Sequence, residues 1–376
     1  MSDLYNFRVK HLWVFSIGVF ILMLSACNSE EMISIRQKSV FRTSEKRAIK
    51  SYLRYINELR TPGFKLSAFQ IDEDLPDNPA CISMFQNDKN VQFFPATLWQ
   101  LYALNGKSRW KEYAEEYSRL LIEGKISGSP DDDEIIQGVF MNSFLITGNQ
   151  QYKTTLLKLL SHHILAEEKS SEPIGNTGIY GDSSFEKLLE NQLLLFTTKE
   201  TGDPVYRRLA IDNSQSIYNL HFQYNRSNEL YFGLANWEQP QHFGELEDLS
   251  TQDCYRLALC FYAFTVLGNE IEIVRYQDFT ENLAVLFTAV FDDVKGESRP
   301  QILLQSSVAG KVDLLSRIFV CLAFNNMGSN EENEYEEIAE TIFDSVLEEL
   351  DDEDISAYHN YTFRMYYYLF EYLREV

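Results

Sequence analysis

The chain has 376 residues and a formal net charge of −23, with 33 Lys and Arg against 56 Asp and Glu. A chain this acidic, with its Lys and Arg scattered, is a poor partner for nucleic acid, because neutralising phosphates needs basic patches. Its length suits one large domain or two small ones, and its 22 Tyr and 26 Phe can fill a core and still leave aromatics for a groove.

The first predicted element is a targeting segment. Arg8 and Lys10 form a short basic region, and Leu12 to Leu24 is apolar except for Ser16 and Gly18. That run is too short to span a bilayer comfortably and suits the apolar part of a signal peptide. It ends in Leu24-Ser25-Ala26-Cys27, small residues before a cysteine whose thiolate can accept a lipid. The expectation is a signal peptide over 1–26, lipidation at Cys27 and a lipid-anchored linker over 27–43. Asn28-Ser29-Glu30-Glu31 then resembles the acidic tract of surface lipoproteins of the Bacteroidetes. It implies a cell-envelope protein of the outer membrane, displayed at the surface. The alternative is an uncleaved helix with a chance cysteine.

From residue 44 the pattern is helical. Helices are predicted over 44–60, 95–105, 108–123, 133–147, 149–165, 183–201, 203–222, 250–267, 270–292, 310–327, 333–350 and 357–374. Four segments repeat one grammar: an aromatic-rich apolar helix, a glycine turn, then a second helix. The turns are Leu104-Asn105-Gly106-Lys107, Ile146-Thr147-Gly148-Asn149, Glu200-Thr201-Gly202-Asp203 and Val266-Leu267-Gly268-Asn269, with a weaker copy at Asn326-Met327-Gly328-Ser329. Glycine suits a helix C-terminus that closes through a left-handed residue. Trp110, Tyr152 and Tyr206 follow the first three glycines by four residues, where an aromatic can pack back on the preceding helix. The second helices are amphipathic, as in Trp110, Tyr113, Ala114, Tyr117 and Leu121, or Tyr335, Ile338, Ala339, Ile342 and Val346. Twelve helices in six hairpins predict an all-α (α/α)6 toroid forming a single domain over 44–376, with an open solenoid as the alternative. Long connections at 61–94, 166–182 and 223–249 would gather at one end and line a cleft.

Cys81, Cys254, Cys260 and Cys321 show no CxxC and no zinc spacing with histidine, so free buried thiols are expected, although export permits one disulfide. No phosphate loop, serine elbow or HExxH is present. No metal or other cofactor is expected.

The chain resembles a known group. Phe93-Phe94-Pro95-Ala96-Thr97-Leu98-Trp99-Gln100-Leu101-Tyr102 followed by Asn105-Gly106 is similar to the "GFWPG-LW-LY-TGD" opening of the unsaturated glucuronyl hydrolases, glycoside hydrolase family 88. Leu193-Leu194-Leu195-Phe196 with Glu200-Thr201-Gly202-Asp203-Pro204-Val205-Tyr206-Arg207 resembles "LPLLYWA-ETGDPRYR". Tyr366-Tyr367-Tyr368-Leu369-Phe370-Glu371-Tyr372-Leu373 resembles the closing "DYYFLEALL". The resemblance runs in order from about residue 50 to the end and is related to the rhamnogalacturonyl hydrolases as well. It implies a six-hairpin toroid acting on oligosaccharide. The family removes an unsaturated uronic acid by hydrating a vinyl ether, with one carboxyl group protonating the double bond and water adding beside it.

Carried over by counting back from Gly148 and Gly202, the two family acids fall on Glu134 and Glu186, each one methylene longer than aspartate. The family histidine falls on Asp133 and the family asparagine on Glu190. A shift of about an ångström in a proton donor can cost roughly a hundredfold in rate. The third family motif, "THQGYSDDSCWARGQAW", is matched only by His242 and Gly244, then by Cys254, Tyr255 and Arg256 with a slip of one residue at the arginine. Leu257-Ala258-Leu259-Cys260 replaces its Gly-Gln-Ala-Trp. The resemblance therefore implies Glu134 and Glu186 as catalytic candidates and His242, Tyr255, Arg256 and Asp182 as substrate-binding candidates.

Other roles are open for each. Glu186 can be a solvated helix-face acid beside Lys187 and Glu190. Glu134 can be an acid favoured by a helix N-terminus, as Asp131 to Asp133 can. Asp182 can belong to the N-cap region of the helix starting near Ser183. His162 and His163 suit a helix C-terminus, and Trp99 suits burial with Leu98 and Leu101. A local Arg256 or Arg226 would be needed to offset the acidic charge toward a polyanionic ligand. Two functions follow: a carbohydrate-active envelope protein hydrolysing unsaturated uronyl oligosaccharides, or a catalytically lapsed toroid that binds glycan or a protein partner.

Overall fold

The computed structural model describes residues 43–54, 89–124, 134–170, 183–224, 230–232, 241–242, 250–292, 312–328, 333–352 and 362–375. The signal segment, Cys27, Cys81 and Asp182 lie outside them. The chain divides into two compact units, Met1–Lys50 and Ser51–Val376. In the first, residues 43–50 are described and are helical.

The described residues form twelve main helices. They are α1 (43–54), α2 (Phe94–Asn105, led by a short turn at Lys89–Gln92), α3 (Ser108–Gly124), α4 (134–147), α5 (Gln150–Ser170) and α6 (Ser183–Thr201). There follow α7 (Pro204–His221), α8 (Thr251–Ile271), α9 (Val274–Asp292), α10 (Leu314–Gly328), α11 (Asn333–Asp352) and α12 (Thr362–Glu375).

Sequence decides which helices lie inside. In α2, the eight consecutive residues from Phe94 to Leu101 are all buried. The run Leu314 to Phe324 of α10 is buried on every side as well. A helix that is apolar all round has to be surrounded by others. In α11, by contrast, Ile338, Ala339, Ile342, Phe343, Val346, Leu347 and Leu350 are buried, while Glu337, Glu340 and Asp344 are exposed. One apolar stripe of this kind marks an outer helix.

The six inner helices close on themselves within the second unit. α2 packs on α4, α4 on α6, α6 on α8, α8 on α10, α10 on α12, and α12 returns to α2. Each of α3, α5, α7, α9 and α11 packs on the inner helix before it. The sixth hairpin joins the chain's two ends: Tyr52 packs edge-on against Tyr366, with ring centroids 5.0 Å apart, and Ser51 Oγ lies 2.7 Å from the Tyr366 hydroxyl. This is the (α/α)6 toroid, a closed ring and not an open solenoid.

The inner-to-outer turns are two residues long. Gly106, Gly148 and Gly202 have φ of 65°, 67° and 73°, and their N–H groups close the preceding helices on Tyr102, Phe144 and Thr198 carbonyls. Gly268 departs from the expected pattern. It lies inside α8, and the left-handed residue is Glu272, with φ 56°. The extra turn buries Ile271. At the start of α10, Asp313 accepts from Ser316 N at 2.8 Å and fixes the helix origin at Leu314, later than the pattern suggested. Tyr152 packs on Trp99 of α2, centroids 5.4 Å apart, and so staples neighbouring hairpins. Trp99 is fully buried and donates to Ser118 Oγ.

The connections from outer to inner helices are long, and most of their residues lie outside those described. The one after α7 contains a small antiparallel sheet, β1 (Phe222–Tyr224), β2 (Leu230–Phe232) and β3 (Gln241–His242), in that order. Strands of two or three residues are too short to show the alternation by which a strand is read from sequence.

Candidate functional site

The ring runs all six inner helices in the same direction, so their first turns meet at one end. Glu134 opens α4, Glu186 lies in the first turn of α6, Tyr255 and Arg256 in the first turns of α8, and Arg364 in the first turn of α12. Helix N-termini favour carboxylates there. The capping box of Ser250 and Asp253 fixes the start of α8 and hence the position of Tyr255.

Glu134 and Glu186, which the sequence places 52 positions apart by number alone, share one counter-ion. Arg364 donates from Nε to Glu134 Oε1 at 2.7 Å and from Nη1 to Glu186 Oε1 at 3.1 Å. Two phenols complete the cluster. Tyr368, one turn after Arg364 on the same face of α12, donates to Glu134 Oε1 at 2.6 Å. The Tyr255 hydroxyl accepts from Arg364 Nη1 at 3.0 Å and donates to Glu186 Oε1 at 3.1 Å.

The site is enclosed. Glu134 is 3 % exposed, and the side chains of Arg364 and Glu186 are 13 % and 17 % exposed. Burial pushes the Tyr255 phenol far up, with Arg364 pulling down and Glu186 and Glu134 pushing up. Burial and then Glu134 push the Tyr368 phenol up. Both phenols therefore stay neutral and able to donate. Burial alone would lower the Arg364 guanidinium, but Glu134, Tyr255 and Glu186 outweigh it and hold the group well above its ordinary value.

Below the acids the lumen is aromatic. Tyr262 stacks on Phe319 with centroids 5.6 Å apart, and Tyr368 meets Phe319 edge-on at 4.7 Å. Three residues past Glu134, α4 loosens into a π-helical segment, Gln137–Met141. Such bulges are frequent at functional sites. Gly138 in this segment lets three inner helices converge, since a Cβ there would meet Ala96 Cβ at 3.1 Å and the Tyr367 ring at 3.4 Å. Gln137 Nε2 donates to Gln192 Oε1, and Gln192 Nε2 donates to the Tyr262 hydroxyl at 2.7 Å.

The structure thus brings Glu134, Glu186 and Tyr255 together. Arg256 is turned to the wall: it pairs with Asp253 at 3.4 Å and lies over the Phe185 ring at 5.5 Å. His242 stands on β3 opposite Tyr231, and Asp182 is outside the described residues. Cys254, Cys260 and Cys321 are free and buried. Among the described residues no group of three His, Cys, Asp or Glu is placed to hold a metal ion.

Sequence reasoning missed Arg364 and Tyr368. Their signal was present: Arg364 is the one cation in the aromatic run from Thr362 to Tyr372, and a charge on a wholly buried helix requires a partner.

A closed six-hairpin ring with an acid pair at the N-terminal mouth of its inner helices defines the class, an (α/α)6 toroid of glycosidase type in fold. Among solved structures the chain is similar to unsaturated glucuronyl hydrolases. One, from Bacillus sp. GL1 and responsible for the degradation of glycosaminoglycan, shares 15% identity at a TM-score of 0.55 over 76% of this chain and 85% of that one. One specific for heparin shares 15% at 0.54 over 77% and 86%. One from Streptococcus agalactiae shares 13% at 0.53 over 77% and 81%. A variant of the Streptococcus enzyme is complexed with dGlcA-GalNAc6S. At these identities the likeness is one of fold. No family model matches the chain, and no curated protein does.

Proposed function

We propose that this toroid is a carbohydrate-active protein of the cell envelope, anchored through Cys27, that binds oligosaccharide at the mouth formed by Glu134, Glu186, Tyr255 and Arg364. The fold and the complexes of its structural neighbours support the ligand class. The observation that carries binding over turnover is the Arg364 bridge. Arginine offers only N–H donors, so each carboxylate oxygen it touches serves as an acceptor. Tyr255 and Tyr368 also donate to those oxygens. Vinyl-ether hydration needs one carboxyl group that gives a proton, and this arrangement has both acids receiving.

The convergence of Glu134 and Glu186 favours a second reading, hydrolysis of unsaturated uronyl oligosaccharides. One experiment separates the two. Purified mature protein is incubated with unsaturated disaccharides while the ultraviolet absorbance of the conjugated double bond is followed, and binding is measured in parallel by calorimetry. Saturable binding with unchanged absorbance is the expected result. Loss of absorbance that Glu186→Gln abolishes would establish the hydrolase instead. Anchoring is tested by labelling with a palmitate analogue, which Cys27→Ala should eliminate.

A further inference from the structure

We infer that the Glu134–Arg364–Glu186 site selects a neutral oligosaccharide through its hydroxyl groups and discriminates against uronates; this rests on the glycan-binding reading above. Three observations carry it.

The first is charge. Two glutamates and one arginine leave the enclosed cluster with an excess of negative charge, inside a chain of net charge −23. A uronate would place a further carboxylate beside Glu134 and Glu186, and juxtaposed like charges are costly at an enclosed surface. The second is Arg256, the described arginine expected from sequence to receive such a carboxylate. It is instead paired with Asp253 and laid over Phe185. The third is a pair of buried polar atoms with no hydrogen-bond partner among the described residues: Arg364 Nη2, a donor, and Gln137 Oε1, an acceptor on a residue 1 % exposed. Buried atoms of this kind call for an occupant.

The chemistry of the occupant follows. It must accept from Arg364 Nη2 and also donate to the carboxylates and to Gln137 Oε1. An ionised carboxylate only accepts, and an ammonium only donates. A hydroxyl does both, and neighbouring sugar hydroxyls present several at once without adding charge.

The test is calorimetry on the mature protein at neutral pH with three probes: an unsaturated uronyl disaccharide, its methyl ester, and the same disaccharide with the carboxyl reduced to an alcohol. The ester and the alcohol should bind at least about tenfold more tightly than the free acid. Affinity for the free acid should rise with added salt, as repulsion is screened. Glu186→Gln, which removes one charge at nearly constant shape, should narrow the gap between ester and acid. Tightest binding by the free acid, affinity for it that falls with salt, or a gap unmoved by Glu186→Gln would each overturn the inference while leaving glycan binding intact. Absence of binding by all three probes would overturn glycan binding and this inference with it.

Discussion

Arg364 is the residue on which the site depends. Its removal strands two carboxylates that the ring has taken out of water. Breaking a buried ion pair from one side costs about 3–5 kcal/mol, because the remaining charge is uncompensated. Arg364→Met keeps most of the side chain's volume, so denaturant unfolding at neutral pH should show a loss of that order, whereas Lys199→Met, whose pair with Glu270 is exposed, should cost less than about 1 kcal/mol. Equal losses in the two variants would show that Arg364 is not the counter-ion described. The tyrosines give a pH prediction. Tyr152 is pushed up to about 12 by burial and then by Glu115, and Tyr255 and Tyr368 are raised by burial above all. A folded-state value above the unfolded one of about 10 gives a contribution that is complete below pH 10 and disappears as pH rises through the folded value. Stability should therefore decline above about pH 10, and the Tyr255 and Tyr368 phenolates should form only together with loss of helical circular dichroism. Full phenolate formation in a still-helical protein would contradict the enclosed cluster.

At the scale of the element, the glycines distinguish what is local from what is not. Gly148 holds φ 67° at the end of α4, so Gly148→Ala should destabilise by about 1–2 kcal/mol. Gly268 is an ordinary helical residue, and a Cβ there would meet Gln277 Cγ at a comfortable 3.8 Å. Gly268→Ala should stabilise by about 0.5–1 kcal/mol. Opposite signs in thermal melts are the result to look for. The hairpins were legible in the sequence because a glycine turn, a Pro at the first helical position and an apolar stripe are all local signals. The true end of α8 was not, because burial of Ile271, a tertiary matter, carried the helix past its glycine to Glu272. Glu134 and Glu186 could be placed by counting from Gly148 and Gly202. Their shared arginine could not, since it lies 230 and 178 residues away along the chain and meets them only through the ring.

For the whole molecule, the ring is only as secure as its closing helix. α12 fills the gap between α10 and α2, and Phe363 and Met365 to Leu369 are fully buried. A chain ending at Asn360 would expose the facing sides of two inner helices and lose Arg364 and Tyr368 as well. It should lack a cooperative unfolding transition, whereas the intact chain should show one. A sharp transition in the truncated chain would mean that the ring does not require closure.

The contact between Ser51 and Tyr366 spans 315 positions. A ribosome delivers the second partner almost at the end of its work, long after the first. Until that moment the nascent chain can assemble hairpins but has nothing to set beside α2. Bringing such distant points together carries an entropic cost that shorter loops do not meet. The last step of maturation is therefore the docking of the final helix, and the binding mouth, whose arginine rides on that helix, comes into being only then.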